Sequence, residues 1–84
     1  MPELHVRGEL YLTLDLVAAC YSVEIRWLEQ VTELGLLSTA ERVEGALAIA
    51  ARELDRVARI VRWHFHQGID LGVVAVLLEE DRLE

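Results

Sequence analysis

The chain has 84 residues, which is room for one small domain and excludes a hydrophobic core combined with a large substrate cleft. Apolar residues make up 54% of it, which excludes a disordered tail and indicates that some apolar surface lies at an interface. The formal net charge of −7 opposes binding to nucleic acid and to anionic membranes and favours a basic partner.

Cysteine usage and hydropathy predict a cytoplasmic protein. The single cysteine, Cys20, cannot form an internal disulfide, as expected in a reducing compartment. The longest apolar run, from Val73 to Leu78, is far too short to span a bilayer. We therefore expect no membrane association.

The N-terminal part is predicted as an arm followed by a short strand. Residues 1–10 contain Pro2 and Gly8 and are expected to form a loose arm. The alternation of leucines from Leu10 to Leu14 is compatible with a short strand before the first helix.

Two short helices are predicted next. Thr13 is the expected N-cap of a first helix from Leu14 to Tyr21. Ser22 is the expected N-cap of a second helix from Val23 to Leu34, which Gly35 ends.

The second helix is predicted to be amphipathic. At about 100° per residue, one arc faces the core, and it contains Ile25, Leu28, Val31, Thr32 and Leu34. The opposite face is expected to be exposed, and it contains Arg26, Glu29, Gln30 and Glu33. Residues from Leu36 to Ala51, with Gly45 and an alanine-rich pattern, are predicted as a hairpin-like wing of weak strands.

A third helix is predicted from Arg52 to Gln67. Its apolar stripe at helical spacing contains Leu54, Val57, Ala58, Val61 and Phe65. Its other face contains Arg52, Arg56, Arg59, Arg62 and Trp63. These arginines are compatible with phosphate binding, but pairing with carboxylates is the stronger interpretation.

Asp70 is expected to cap a fourth helix from Leu71 to about Leu83, which is apolar nearly all round and needs cover on two sides. The sequence thus predicts a mainly α fold of four helices with a small β-hairpin wing. We expect a single domain over residues 1–84, with the arm at 1–10, the core at 11–80 and an acidic tail at 81–84.

No pattern in the sequence indicates catalysis, a metal or another cofactor. His64 and His66 are two residues apart, so on a helix they point to nearly opposite faces and cannot share a metal. No Ser, His and Asp set and no glycine-rich phosphate loop is present. Glu79, Glu80 and Asp81 fit a solvated helix end better than an acid and base pair. We therefore expect a binding protein rather than an enzyme.

Several segments together resemble the MerR-type winged helix-turn-helix proteins over roughly residues 11 to 80. The segments are the run from Leu12 to Cys20, Ser22-Val23, Leu28, Leu34-Gly35-Leu36-Leu37, Gly45-Ala46-Leu47-Ala48-Ile49, the run from Arg52 to Val57, and the run from Gly68 to Leu78. The resemblance implies a winged helix-turn-helix fold.

The departures from that family concern DNA binding. MerR-type regulators carry Arg-Tyr-Tyr in the recognition helix, where this chain has Glu29-Gln30-Val31, and an arginine in the wing, where it has Leu47. Cationic contacts to phosphates supply most of the affinity for DNA, so this net negative helix face would be repelled. The chain also ends at Glu84, before the long helix through which these regulators dimerise, so a monomer is expected.

What remains is similar to the chaperone-modulator family typified by CbpM, and the strongest local support is the pattern Gly68-Ile69-Asp70-Leu71-Gly72-Val73 running into Leu77-Leu78-Glu79-Glu80. This resemblance implies binding to a J-domain co-chaperone, with DnaK possible in the same complex. The modulator would either block that co-chaperone or assemble it with DnaK, and the sequence leaves both open. An acidic module complements the basic helix that J-domains present.

The candidate partner-binding residues are Arg26, Glu29, Gln30, Glu33, Asp70, Val73, Val76, Leu77, Glu79 and Glu80. No nucleic acid, membrane or small-molecule partner is expected. One alternative is a small MerR-like DNA-binding regulator or excision factor, which would depend on the arginines of the third helix. An antitoxin-like or purely structural partner protein is a further alternative.

Overall fold

The computed structural model describes residues 3–82, and the side chains of residues 4–80. These residues form four strands and four α-helices in the order β1 (Glu3–Val6), β2 (Glu9–Thr13), α1 (Leu14–Tyr21), α2 (Ile25–Glu33), β3 (Glu41–Val43), β4 (Ala46–Ala50), α3 (Leu54–Val61) and α4 (Leu71–Arg82). No described helix is long and apolar enough to cross a membrane.

The strands form one antiparallel sheet in the order β1-β2-β4-β3. The prediction of a mainly α winged helix-turn-helix with a small wing is therefore wrong, and the fold is a small α/β fold. The predicted loose arm is also wrong for residues 3–10, which form β1 and the start of β2, while residues 1 and 2 lie outside the described residues. The predicted wing does form the β3–β4 hairpin, but β4 also pairs with β2.

Two tight turns connect the strands of the sheet, and the first of them explains why the sheet is larger than expected. Arg7-Gly8 joins β1 to β2, and Glu44-Gly45 joins β3 to β4. In each turn both residues have positive φ, as the twist of a two-residue hairpin requires. The usual sequence signal is Asn-Gly or Asp-Gly, because a longer side chain rarely adopts positive φ. Arg7 conceals that signal in the first turn, and β1 was therefore not predicted.

The alanine-rich strand β4 lies at the centre of the sheet. Ala48, Ile49 and Ala50 are all fully buried. Ile49 joins the main core under the helices, whereas Ala48 and Ala50 pack with Tyr11 on the opposite face. The two small side chains leave space for the Tyr11 ring, whose hydroxyl donates a hydrogen bond to Glu41 on β3 at 3.0 Å.

Helix α1 has the predicted bounds and Thr13 is its N-cap residue as predicted, but the predicted cap of the second helix is wrong. The Thr13 side chain makes no capping hydrogen bond. Ser22 ends α1 instead of starting α2: its φ is 55°, and its N–H donates to the carbonyl of Ala19 at 3.3 Å. Left-handed residues commonly close a helix in this way. Helix α2 consequently begins at Ile25, two residues later than predicted.

The core-facing arc of α2 is narrower than predicted. Leu28 and Val31 are buried, but Ile25 is 36% exposed and Leu34 is 55% exposed. Leu34 lies just beyond the end of the helix, where the chain turns through Gly35 at positive φ. Leu36, which follows the turn, enters the core instead.

The third helical segment covers about the predicted span in three parts: a 3-10 turn at Ala51–Glu53, α3, and a π-helical turn at Arg62–His66. Its buried face differs from the predicted stripe. Val57, Ile60 and Val61 are buried, whereas Ala58 is exposed and Phe65 is 50% exposed. Phe65 lies in the π-helical turn, whose residue spacing differs from that of an α-helix, so the predicted α-helical stripe does not continue to it.

Helix α4 is covered on one side rather than two. Asp70 caps it as predicted, because its carboxylate accepts a hydrogen bond from the N–H of Gly72 at 2.8 Å. Leu71, Val74 and Leu78 are buried against the core, while the face with Val73 and Val76 remains open. The predicted acidic tail at 81–84 begins inside α4, and residues 83 and 84 lie outside the described residues.

A buried carboxylate ties the loop before β3 to the start of α3. Glu53 is 6% exposed and accepts hydrogen bonds from the backbone N–H of Ser38 at 2.8 Å and of Thr39 at 3.0 Å. Both hydroxyls also donate to it. Burial alone would raise the pKa of Glu53, but these hydrogen bonds from Thr39 and Ser38 outweigh burial and lower it.

We expect Glu53→Gln to destabilise the domain by about 1–3 kcal/mol at neutral pH, because an amide cannot accept all these hydrogen bonds. Since the folded-state pKa of Glu53 is depressed, its contribution is present above the ordinary value of 4.5 and is lost as the pH falls below it. Urea unfolding at several pH values measures both effects.

The matched control is Glu44→Gln, which changes an exposed glutamate in the β3–β4 turn. The control should unfold like the wild type at every pH. A Glu53→Gln protein as stable as the wild type at pH 7 would contradict the anchoring role of this carboxylate.

Candidate protein-binding surface

The exposed face of α2 lies where the sequence predicts it. Leu28 and Val31 anchor the helix to the core, being 0% and 1% exposed. The four side chains predicted on the opposite face are all exposed, namely Arg26, Glu29, Gln30 and Glu33. Burying two residues on one side therefore presents a charged helix surface on the other.

A groove runs between α2 and the β3–β4 hairpin, and we call it the acidic groove. Its volume is about 390 Å³, and it is lined by Thr13, Leu14, Asp15, Ile25, Glu29, Thr32, Glu33, Arg42, Gly45, Ala46 and Leu47. Three of these residues carry carboxylates and only Arg42 carries a positive charge. The groove is therefore net negative.

The acidic groove is built from three separate segments. Asp15 lies in the first turn of α1, and Glu29 and Glu33 lie one turn apart on α2. Arg42 comes from β3 and donates to the carbonyl of Gly45 at 3.4 Å, so it is held towards its own turn. Sequence analysis found Glu29 and Glu33 but missed Asp15, because the groove exists only once the hairpin packs beside α2.

The carboxylates of Glu29 and Glu33 destabilise α2, the helix that carries them. Like charges one turn apart repel each other. Glu33 is also the last residue of α2, where the negative end of the helix dipole opposes a carboxylate, and no basic residue lies in that last turn. Side chains that cost stability in an exposed groove are typical of a binding surface rather than of a structural role.

The other candidate set lies along the open face of α4. Val73 and Val76 are 50% and 56% exposed, and Glu79 and Glu80 are also exposed. Leu77 is only partly exposed. Asp70 acts as the helix cap.

The two candidate sets line different grooves. Glu79 lines a separate crevice together with Leu34 and Arg56. The acidic groove contains residues from α2 but none from α4. They are therefore two surfaces, and each has to be tested by itself.

The arginine face of the third helical segment is partly engaged within the domain. Arg52 pairs with Glu9 on β2, and Nε of Arg56 donates to the carbonyl of Leu36 at 2.8 Å. Trp63 is half-buried and packs against the core. Arg62 is exposed.

The two histidines have different surroundings. Nδ1 of His64 lies 2.8 Å from the carbonyl oxygen of Ile69, and its ring stacks on Trp27 at a centroid distance of 5.7 Å. His66 is exposed. Among the described residues, no cluster of three or more His, Cys, Asp or Glu side chains could hold a metal ion.

An aromatic pocket at the start of α2 was missed by the sequence analysis. Tyr21, Trp27 and Phe65 line it, together with Glu24 and His66. The predicted stripe assigned Phe65 to the core, and the exposed face of α2 was defined without Trp27. Only the end of the third helical segment, packed beside α2, brings these rings together.

No family model, no curated protein and no solved structure matches the chain. The surfaces of the chain itself therefore indicate its function. Among these surfaces, the acidic groove has both a concave shape and a net negative charge.

We expect the double variant Glu29→Gln, Glu33→Gln to unfold within about 0.5 kcal/mol of the wild type, or to be slightly more stable, because neutralising the pair removes their mutual repulsion. Chemical denaturation measures the difference. The control on the same helix is Leu28→Ala, which should lose about 2–5 kcal/mol because Leu28 is fully buried. A large loss of stability in the double glutamine variant would show that the carboxylates hold the fold together instead of serving a partner.

Proposed function

We propose that the chain is a chaperone modulator of the CbpM-like kind, which binds a J-domain co-chaperone and controls its interaction with DnaK. The observation that carries the proposal is the acidic groove, where three carboxylates and one guanidinium surround a cleft of about 390 Å³. Such a modulator acts in the cytoplasm, by binding rather than by catalysis. The resemblance of the sequence to the CbpM-like family indicates the partner, and the acidic groove is the site that we propose for it.

The chemistry of the groove supports a basic helix as its ligand. Lysine and arginine side chains one turn apart on a partner helix match the spacing of Glu29 and Glu33 on α2. The net charge of −7 attracts the same partner at longer range. Ile25 and Leu47 also line the groove and offer apolar contact next to the charges.

The proposed mechanism is steric. A J-domain that places its basic helix in the acidic groove can no longer offer the same helix to DnaK, so the modulator blocks that contact. In the assembling mode, the open α4 face with Val73 and Val76 would hold DnaK while the groove holds the J-domain. Both modes use the groove and differ in whether α4 has a partner.

The alternative, a DNA-binding regulator or excision factor, has weaker support. The exposed face of α2 carries two carboxylates and one arginine, which phosphates would repel. Arg52 and Arg56 already make contacts within the domain, so the arginine face would have to break them to contact DNA. A sequence-specific gel shift with a Kd below about one micromolar at physiological salt would favour this alternative.

We expect the double variant Glu29→Lys, Glu33→Lys to associate with an isolated J-domain roughly tenfold more slowly at low salt than the wild type, because charges at the rim of an interface mainly set the association rate. The difference should shrink as salt rises, since ions screen the charges. Stopped-flow kinetics at two salt concentrations measure both effects, with thermal melts in parallel.

The matched comparison is Glu79→Lys, Glu80→Lys, which changes the net charge by the same amount on α4. If the acidic groove holds the J-domain, this second variant should slow association much less. Equal slowing by both pairs would show that the overall charge of the domain, and not the acidic groove, determines the association rate. Slowing by the α4 pair alone would move the J-domain site from α2 to α4.

A further inference from the structure

The aromatic pocket is a second concave site, and its ligand is not the one that fits the acidic groove. Its volume is about 560 Å³, and it is lined by Tyr21, Ser22, Val23, Glu24, Trp27, Val61, Phe65 and His66. Three aromatic rings and two valines form the walls, and Glu24 is the one carboxylate of the lining.

The rings that form the pocket are held by one another. Trp27 and Phe65 lie with centroids 4.7 Å apart at 53°, and His64 meets Phe65 edge-on at 4.9 Å. Phe65 nevertheless remains 50% exposed. The arrangement therefore leaves aromatic surface open.

The indole N–H of Trp27 is an unfavourable feature of the aromatic pocket. Nε1 of Trp27 is buried and has no hydrogen-bond partner among the described residues. Buried indole N–H groups usually find an acceptor, and leaving one unpaired is unfavourable. Trp27 packs against the core and also forms one wall of the pocket.

The pocket is continuous with the acidic groove around the first turn of α2. A shallow surface formed by Glu24, Ile25 and Arg26 lies between them. Ile25 also lines the acidic groove, and Glu24 also lines the pocket. A single partner that covers the start of α2 would contact both sites.

We propose that the aromatic pocket takes a cationic side chain, arginine or lysine, from the basic partner that occupies the acidic groove. The aliphatic stem would pack on Val23 and Val61, and the charged head would lie against the rings of Trp27 and Phe65, where cation–π attraction acts. Glu24 would then pair with the cation. An apolar side chain would fit less well, because it would desolvate Glu24 without a compensating charge.

This proposal rests on the proposed function for the source of the cation, but the pocket can be tested without the J-domain. The indole N–H resonance of Trp27 is observed by NMR in the intact protein during titration with N-acetyl-arginine methylamide or its lysine counterpart. The uncharged control is N-acetyl-norleucine methylamide. Trp63, which does not line the pocket, is the internal reference.

The cationic probes should shift Trp27, leave Trp63 in place, and act more strongly than the norleucine probe. An unmoved Trp27 would overturn the proposal. An equal response to norleucine would overturn it as well, because the pocket would then be merely apolar.

Two variants connect the pocket to the partner. Phe65→Leu keeps apolar volume but removes the ring, and Glu24→Gln removes the charge. Each should weaken binding of an isolated J-domain about fivefold while thermal melts still show a folded domain, whereas the control Asp55→Asn, which removes an exposed carboxylate of α3 outside both sites, should not.

The two proposals fail in different ways. A J-domain that does not bind the wild type, while the arginine probe still shifts Trp27, would refute the proposed function and support the pocket. A J-domain that binds both variants as tightly as the wild type would refute the role of the pocket in that complex and leave the acidic groove as its site.

Discussion

Among the residues that the structure describes, Glu53 is the one charged side chain buried in the domain, and the shape of the acidic groove depends on it. Its carboxylate joins the start of the third helical segment to Ser38 and Thr39, just before β3. Oγ1 of Thr39 in turn accepts a hydrogen bond from the N–H of Ala50 at the end of β4, at 3.0 Å. Both ends of the β3–β4 hairpin are thereby fixed, and the position of the hairpin beside α2 defines the acidic groove.

The domain carries several unfavourable features close to one another. Glu29 and Glu33 repel each other on α2, Nε1 of Trp27 has no hydrogen-bond partner among the described residues, and Phe65 is 50% exposed. All of them lie on α2 or against its neighbours, while the centre of the sheet and the core beneath the helices are closely packed. Local costs gathered at one surface of an otherwise consistent fold are typical of a binding site.

Sequence analysis succeeded where the local pattern decides the structure. The bounds of α1, the Asp70 cap, the β3–β4 hairpin and the exposed face of α2 follow from local spacing and capping rules. Two strands were predicted less well, for different reasons. β1 was predicted as an arm because Arg7-Gly8 is an uncommon hairpin turn. β4 was predicted as a weak strand because its alanines stabilise the sheet only by packing with Tyr11, which is distant in sequence. Glu29 and Glu33 could be predicted because local spacing places them on one face of a helix. The aromatic pocket could not be predicted because it forms where segments distant in sequence meet.

The central claim is that the acidic groove receives a basic J-domain helix, and amide chemical-shift mapping tests it most directly. The labelled domain is titrated with an unlabelled J-domain at moderate salt, and the perturbed amides are placed on the structure. The account predicts that the largest changes occur around Ile25, along Glu29 to Glu33, and in the β3–β4 hairpin at Arg42 to Leu47. Changes confined to α4, or the absence of any change at concentrations well above micromolar, would contradict it.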